Sequence, residues 1–216
     1  MFASPASARP RRRGYVMRMP RIAAAGLLVA GLACGSGSGS TGATLNGVVR
    51  GQPMKPADAV SSPARVFLGA ISADVAAVVL SDVSGTCAKL TANTEPKNGK
   101  ALVIMLADVD RLSYAVTAPS GPGTFDVFNP AGGFGIPPAH LAVVRFGVND
   151  SCAEVPEQSA VATSGSVKLT SVSAGGYAGT YTIGLETGEQ ISGEFHTATC
   201  PGLATYLATP THSCGR

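Results

Sequence analysis

The 216-residue sequence has no tryptophan, three histidines and only 13% charged residues. So little charge excludes a coiled coil. It also leaves no basic stripe to follow a phosphate backbone, so nucleic acid is not an expected partner. The lack of Trp argues against a sugar-binding surface, which needs exposed ring platforms. The one long apolar run, IAAAGLLVAGLA at 22–33, falls short of the roughly 20 residues that span a bilayer. What the chain has is bulk: at 45% apolar it is too hydrophobic to stay disordered, and its length suits one domain with a sizeable core.

The formal net charge of +3 is local in origin. Arg9, Arg11, Arg12, Arg13, Arg18 and Arg21 all precede residue 22, whereas no acid precedes Asp58. The chain beyond residue 33 is therefore slightly acidic. Arginines, a short apolar run and a small-residue end make the three parts of an export signal over 1–33. The signal ends Gly31-Leu32-Ala33-Cys34, followed by a Gly/Ser run. This segment resembles the lipobox of bacterial lipoproteins, in which the cysteine is diacylated and becomes the new N-terminus. It departs from the commonest pattern at Gly31, where leucine is usual.

The resemblance is confined to the leader. It implies a lipid anchor on Cys34, a flexible tether over 34–44 and a folded domain over 45–216. Gly35, in place of aspartate, favours the outer over the inner membrane; without acylation the protein is secreted. Met1, Met17 and Met19 are alternative starts. Arg12-Arg13 resembles a twin-arginine motif without its usual polar and lysine flanks.

The body reads as sheet. Short β-rich runs bounded by Gly, Pro, Asn or Asp lie at 46–50, 65–71, 74–80, 101–107, 124–128, 141–148, 166–172, 178–185 and 191–197. The last three alternate with period two: Val167 and Leu169, then Tyr181, Ile183 and Leu185, then Ile191, Gly193 and Phe195 share one face. They predict an antiparallel meander. The runs at 75–80 and 101–106 are apolar on both faces, as in strands covered on both sides. One helical turn is expected near Pro56. The expected fold is all-β, a single antiparallel β-sandwich of about nine strands in Greek-key or jelly-roll order.

With Cys34 acylated, Cys87, Cys152, Cys200 and Cys214 remain, an even number suited to two disulfides in an oxidising compartment. A short C-terminal loop favours Cys200–Cys214, and Cys87 and Cys152, each following a predicted strand, are expected to pair at one end of the sandwich; a Cys87–Cys200 bridge is the alternative. Oxidised cysteines do not ligate metal, so the cluster His196, Cys200, His212, Cys214 is read as disulfide chemistry and no cofactor or metal is expected. Asp108, Asp110, Asp126 and Asp150 lack calcium-loop spacing and read as turn formers. No G-x-S-x-G elbow is present, and catalytic residues are not expected. Tyr114 and Tyr206 are the rings expected to be free.

The sequence therefore predicts a lipid-anchored cell-envelope protein whose sandwich binds an envelope partner or serves a structural role. The alternative is a ligand-binding module for a sugar, lipid or peptide; an enzyme is the least favoured reading.

Overall fold

Strand is the dominant element, as the short β-rich runs imply. The computed structural model describes residues 42–68, 71–132 and 136–215. In chain order the elements are β1 (Gly42–Ala43), β2 (Asp58–Leu68), β3 (Ile71–Ser81), α1 (Thr86–Thr91), β4 (Thr94–Glu95), β5 (Gly99–Val109), β6 (Val116–Thr117), β7 (Gly123–Val127), β8 (His140–Asp150) and β9 (Ala153–Glu154). They continue with β10 (Ala160–Ser173), β11 (Gly176–Leu185), β12 (Gln190–His196), β13 (Ala198–Thr199), α2 (Pro201–Ala208) and β14 (Ser213–Cys214). The expected signal peptide, Cys34 and most of the expected tether lie outside the described residues. Strand pairing includes residues just ahead of the expected domain start: Gly42 and Ala43 pair with β12.

The all-β expectation holds, but the pairing differs from an antiparallel nine-strand sandwich. One sheet of 12 strands runs β1-β12-β11-β10-β7-β8-β5-β3-β2-β13, with β6 beside β5 and β9 beside β8. The pairs β7–β8 and β13–β2 are parallel, so the sheet is mixed. Four of its strands (β2, β3, β5 and β8) are 11 residues long. Strands of that length accumulate enough twist for a sheet to curl over its own inner face.

The segment after β12 stitches the two limbs of the curl. Thr197 and Thr199 donate their backbone N–H groups to Tyr177 and Gly175 at 2.9 and 3.0 Å, while Cys200 donates to Ser61 on β2 at 2.7 Å. A buried hydroxyl pair, Ser61 and Thr197 at 2.6 Å, closes the same seam. Each of these groups is hydrogen-bonded, which buried polar atoms require.

The curl encloses the main core, in which Phe125, Phe146, Leu102, Ile104, Ile183 and Ile191 are all buried. The meander is as expected, with Val167, Leu169, Tyr181, Ile183, Ile191 and Phe195 all facing inward. At Gly193 a Cβ would meet the Thr44 carbonyl oxygen at 2.0 Å. Only glycine admits that approach, and across it the Tyr181 hydroxyl donates to Thr44 at 2.8 Å.

A second core covers the outer face. Val75, Ala77 and Val79 of β3 alternate outward with Ala76, Val78 and Leu80 inward. Leu90 of α1 and Leu203 of α2 pack on the outward set. The two-sided apolar runs are thus explained by helices. The sequence reading missed both of them, and it also placed a turn near Pro56 and a strand at 46–50 that do not form. β2 starts at Asp58, and 46–50 holds only isolated bridges at Asn46 and Val49.

Candidate functional site

The outward rows of β3, β5 and β8 follow from their register. Val79, Val103 and Arg145 lie side by side, as do Ser81, Ala101 and Gly147, and then Gly99 and Asn149. The middle row carries almost no side-chain volume. A Cβ at Gly147 would meet nothing within 4 Å. Above this depression lie Leu90 of α1 and Leu203, Tyr206 and Leu207 of α2, which enclose a cleft of about 240 Å³. Its floor and roof are apolar at the centre, while Lys89, Lys100, Glu95, Arg145, Asn149 and Glu154 contribute charge and polarity to its lining.

The polar lining is internally organised. Glu95 accepts the Tyr206 hydroxyl at 2.9 Å on one oxygen and the Asn149 amide at 2.7 Å on the other. Arg145 pairs with Glu154 of β9. Lys89 and Lys100 each donate to a backbone carbonyl, Ser84 at 2.9 Å and Pro53 at 2.8 Å. An ammonium has three donors, so each retains capacity for an incoming acceptor. Burial, then the hydrogen bond to Glu95 and its charge, push the Tyr206 phenol well above its ordinary range. Tyr206 stays neutral at physiological pH and acts as a donor.

The roof is held by both disulfides, and their pairing reverses the favoured expectation. Cys87 of α1 is bonded to Cys200 at the start of α2, and Cys152 to Cys214 of β14. The Cα separations of 5.6 and 5.5 Å lie in the usual range for a bridge. The physical reason is α2. Its eight residues advance the chain by about 12 Å between the completely buried Cys200 and the exposed Cys214. Each cysteine then meets a partner from a different part of the roof. Strand β14 pairs with β4, placing Cys214 opposite Glu95. Two disulfides fit an oxidising, extracytoplasmic compartment. Among the described residues no helix is long and apolar enough to cross a membrane.

No protein-family model, curated protein or solved structure matches this chain. The residues singled out from the sequence are distributed as follows. Cys200 and Cys214 belong to different bridges, His196 ends β12, and His212 stacks on Tyr206 with ring centroids 3.7 Å apart while its Nδ1 meets Asn93 at 2.7 Å. Among the described residues no group of three or more potential ligands gathers to hold a metal.

Asp110 is a turn former, accepting the Leu112 and Ser113 backbone N–H groups at 2.7 and 3.0 Å. Asp150 accepts the neighbouring Ser151 hydroxyl. Asp126 lies in β7, and Asp108 lies in β5, where it meets His140 Nδ1 at 2.6 Å. Tyr114 is exposed as expected. Tyr206 is not free, because it joins Glu95 and His212 in the roof.

The cleft itself escaped the sequence reading. One signal was present: the outward positions of β8 run Leu141, Val143, Arg145, Gly147, so its apolar face stops where the cleft begins.

Proposed function

We propose that the protein is a lipid-anchored binding protein of the bacterial cell envelope, taking a small amphipathic molecule into the cleft beneath α1 and α2. The observation that carries this reading is the open volume over Gly147 between two apolar surfaces. A sheet face already covered by helices usually packs to crystal-like density. Here a row of Ser81, Ala101 and Gly147 leaves room instead. The ligand's apolar body lies against Val79, Val103 and Leu203, and its anionic end meets the spare donors of Lys89 and Lys100.

The leader supports the location. The lipobox-like end at Cys34 and the following Gly/Ser run suit a domain held off a membrane, with the outer membrane favoured by Gly35. The two disulfides suit the same side of the membrane. Binding is the favoured reading, because the Tyr206 hydroxyl and the Glu95 carboxylate are committed to each other and to Asn149 as a brace of the roof.

Anilinonaphthalene sulfonate, an apolar ring system with one anionic group, is a suitable probe. Wild-type protein is expected to bind it one to one, and Gly147→Leu to weaken that binding at least ten-fold with an unchanged melting temperature. Equal binding by the two proteins, or none by wild type, would overturn the cleft reading. Mass analysis of the mature N-terminus tests the anchor separately: a diacylated Cys34 is expected, and an unmodified residue would end that part.

A further inference from the structure

Among the described residues, five large hydrophobic side chains stand exposed: Val48, Phe67, Leu112, Tyr114 and Ile136. Strand direction places the last four at one end of the sheet. Phe67 is next to the tip of the β2–β3 hairpin, whose closing pair is Leu68 and Ile71. Strand β5 is antiparallel to β3 and ends at the same end, where Leu112 and Tyr114 form the turn into β6. Strand β8 is antiparallel to β5 and starts there; Ala139 accepts the Val109 backbone N–H at 2.8 Å, and Ile136 lies three residues before it. These side chains are 66% (Phe67), 95% (Leu112), 70% (Tyr114) and 84% (Ile136) exposed, far more than isolated surface apolar residues need be.

The register carries the same direction round to β1. Strand β7 runs parallel to β8, β10 and β12 run opposite to it, and β11 runs with it. Because Gly42 faces His196 at the end of β12, the chain enters β1 at the end that bears the four apolar side chains. Val48 lies at the other end, beyond Asn46, which bridges Ser192. Cys34 precedes Gly42 by only eight residues, a reach of about 28 Å at full extension.

We propose that this end of the sheet is a membrane-contacting surface, with Phe67, Leu112, Tyr114 and Ile136 entering the interfacial region of the bilayer to which Cys34 is anchored. The proposal rests on the anchoring reading above. A tether that short, leaving from this end, holds these side chains within reach of the lipid. Aromatic and aliphatic tips suit the boundary between headgroups and acyl chains. Of the charges beside them, Arg65 is engaged with Asp74 at 2.8 Å, Asp108 with His140 at 2.6 Å and Asp110 with backbone amides, while Arg111 is exposed in the same turn as Leu112 and Tyr114 and can meet a headgroup phosphate. Attraction is therefore mainly apolar, and the phosphate of a zwitterionic headgroup suffices for Arg111.

The chain has no native tryptophan, so Tyr114→Trp and Val48→Trp each introduce a single fluorophore. The full acylated chain carrying either change is reconstituted into phosphatidylcholine vesicles with acyl chains brominated near the headgroup. Tyr114→Trp emission is expected to be quenched at least two-fold and Val48→Trp emission to stay unchanged. Adding Leu112→Ser and Ile136→Ser is expected to return Tyr114→Trp quenching to the Val48→Trp level. An acylated chain that floats with the vesicles while both reporters are quenched equally would overturn this proposal alone. A mature chain found to carry no acyl group at Cys34 would overturn the anchoring reading and this proposal with it.

Discussion

The Tyr206 hydroxyl donates to Glu95 at 2.9 Å, joining the roof of the cleft to the strand that carries the C-terminal tail. Glu95 also accepts from Asn149, so removing the phenol leaves the carboxylate one partner. Tyr206→Phe is expected to lower stability by about 1 kcal/mol, near the mean for one hydrogen bond. Urea unfolding checks it; a loss above about 3 kcal/mol would mean that the ring's stacking on His212 had been lost as well.

The buried phenols set an alkaline limit. Burial raises the pKa of Tyr181 and Tyr177, and burial together with Glu95 raises that of Tyr206. A raised pKa means that the folded state holds its proton more tightly than the unfolded chain does. The contribution is therefore complete below the ordinary tyrosine value of about 10 and is lost as pH rises above it. Melting temperature is expected to fall above pH 10, and less steeply in Tyr181→Phe. A flat profile to pH 11.5 would contradict the assignment.

Tyr181→Phe has its own cost. The Tyr181 side chain is almost fully buried, and its hydroxyl serves the Thr44 carbonyl. The substitution leaves that carbonyl short of a donor inside the fold, for an expected loss of about 1–2 kcal/mol. Gly193→Val is expected to be worse, since any Cβ there pushes against the Thr44 backbone. Parallel thermal unfolding of the two variants would establish the order.

What the sequence disclosed depended on which interactions write a local pattern. The meander was legible because Tyr181, Ile183 and Leu185 alternate with polar residues over a run that pairs with its sequence neighbours. Two-sided burial of 75–80 was also legible, but its cause was not. Helix α1 has six residues, too few for a 3.6-residue period to show, and α2 is signalled only by Pro201 at its first position. The closure of the sheet depends on β13, two residues long, pairing with β2 from the far end of the chain. No local pattern encodes so long-range a contact. The cleft is a property of three neighbouring strands at once, and Gly147 acquires meaning only beside Ser81 and Ala101.

An acid limit is expected from exposed carboxylates. The Arg65 hydrogen bond holds Asp74 below its usual pKa; backbone N–H groups of Ser113 and Leu112 do so for Asp110, and the Arg50 backbone N–H for Glu189. A depressed pKa stabilises the fold above the ordinary carboxylate range, and the contribution fades as pH falls through and below about 4. All three groups are solvent-exposed, so each effect is small and Asp74→Asn is expected to leave stability almost unchanged. Unfolding midpoints at pH 7 and pH 3 should differ less in Asp110→Asn than in wild type; an equal difference would remove Asp110 from the account.

The two disulfides are expected to differ in access. Cys200 is completely buried beneath α1 and α2, whereas Cys214 lies exposed on β14. Thiolate attack requires an approach to sulfur, so mild reductant should open Cys152–Cys214 first. That step frees β14 and the His212 stack while α1 and α2 remain joined. Stepwise alkylation with peptide mapping is expected to label Cys152 and Cys214 before Cys87 and Cys200. The same map tests the pairing, since a Cys200–Cys214 peptide would contradict it. Opening Cys87–Cys200 closes the comparison. That bridge spans 113 residues, and its loss through Cys87→Ser with Cys200→Ser is expected to cost about 2–5 kcal/mol. It should also abolish probe binding, because the two walls of the roof then separate.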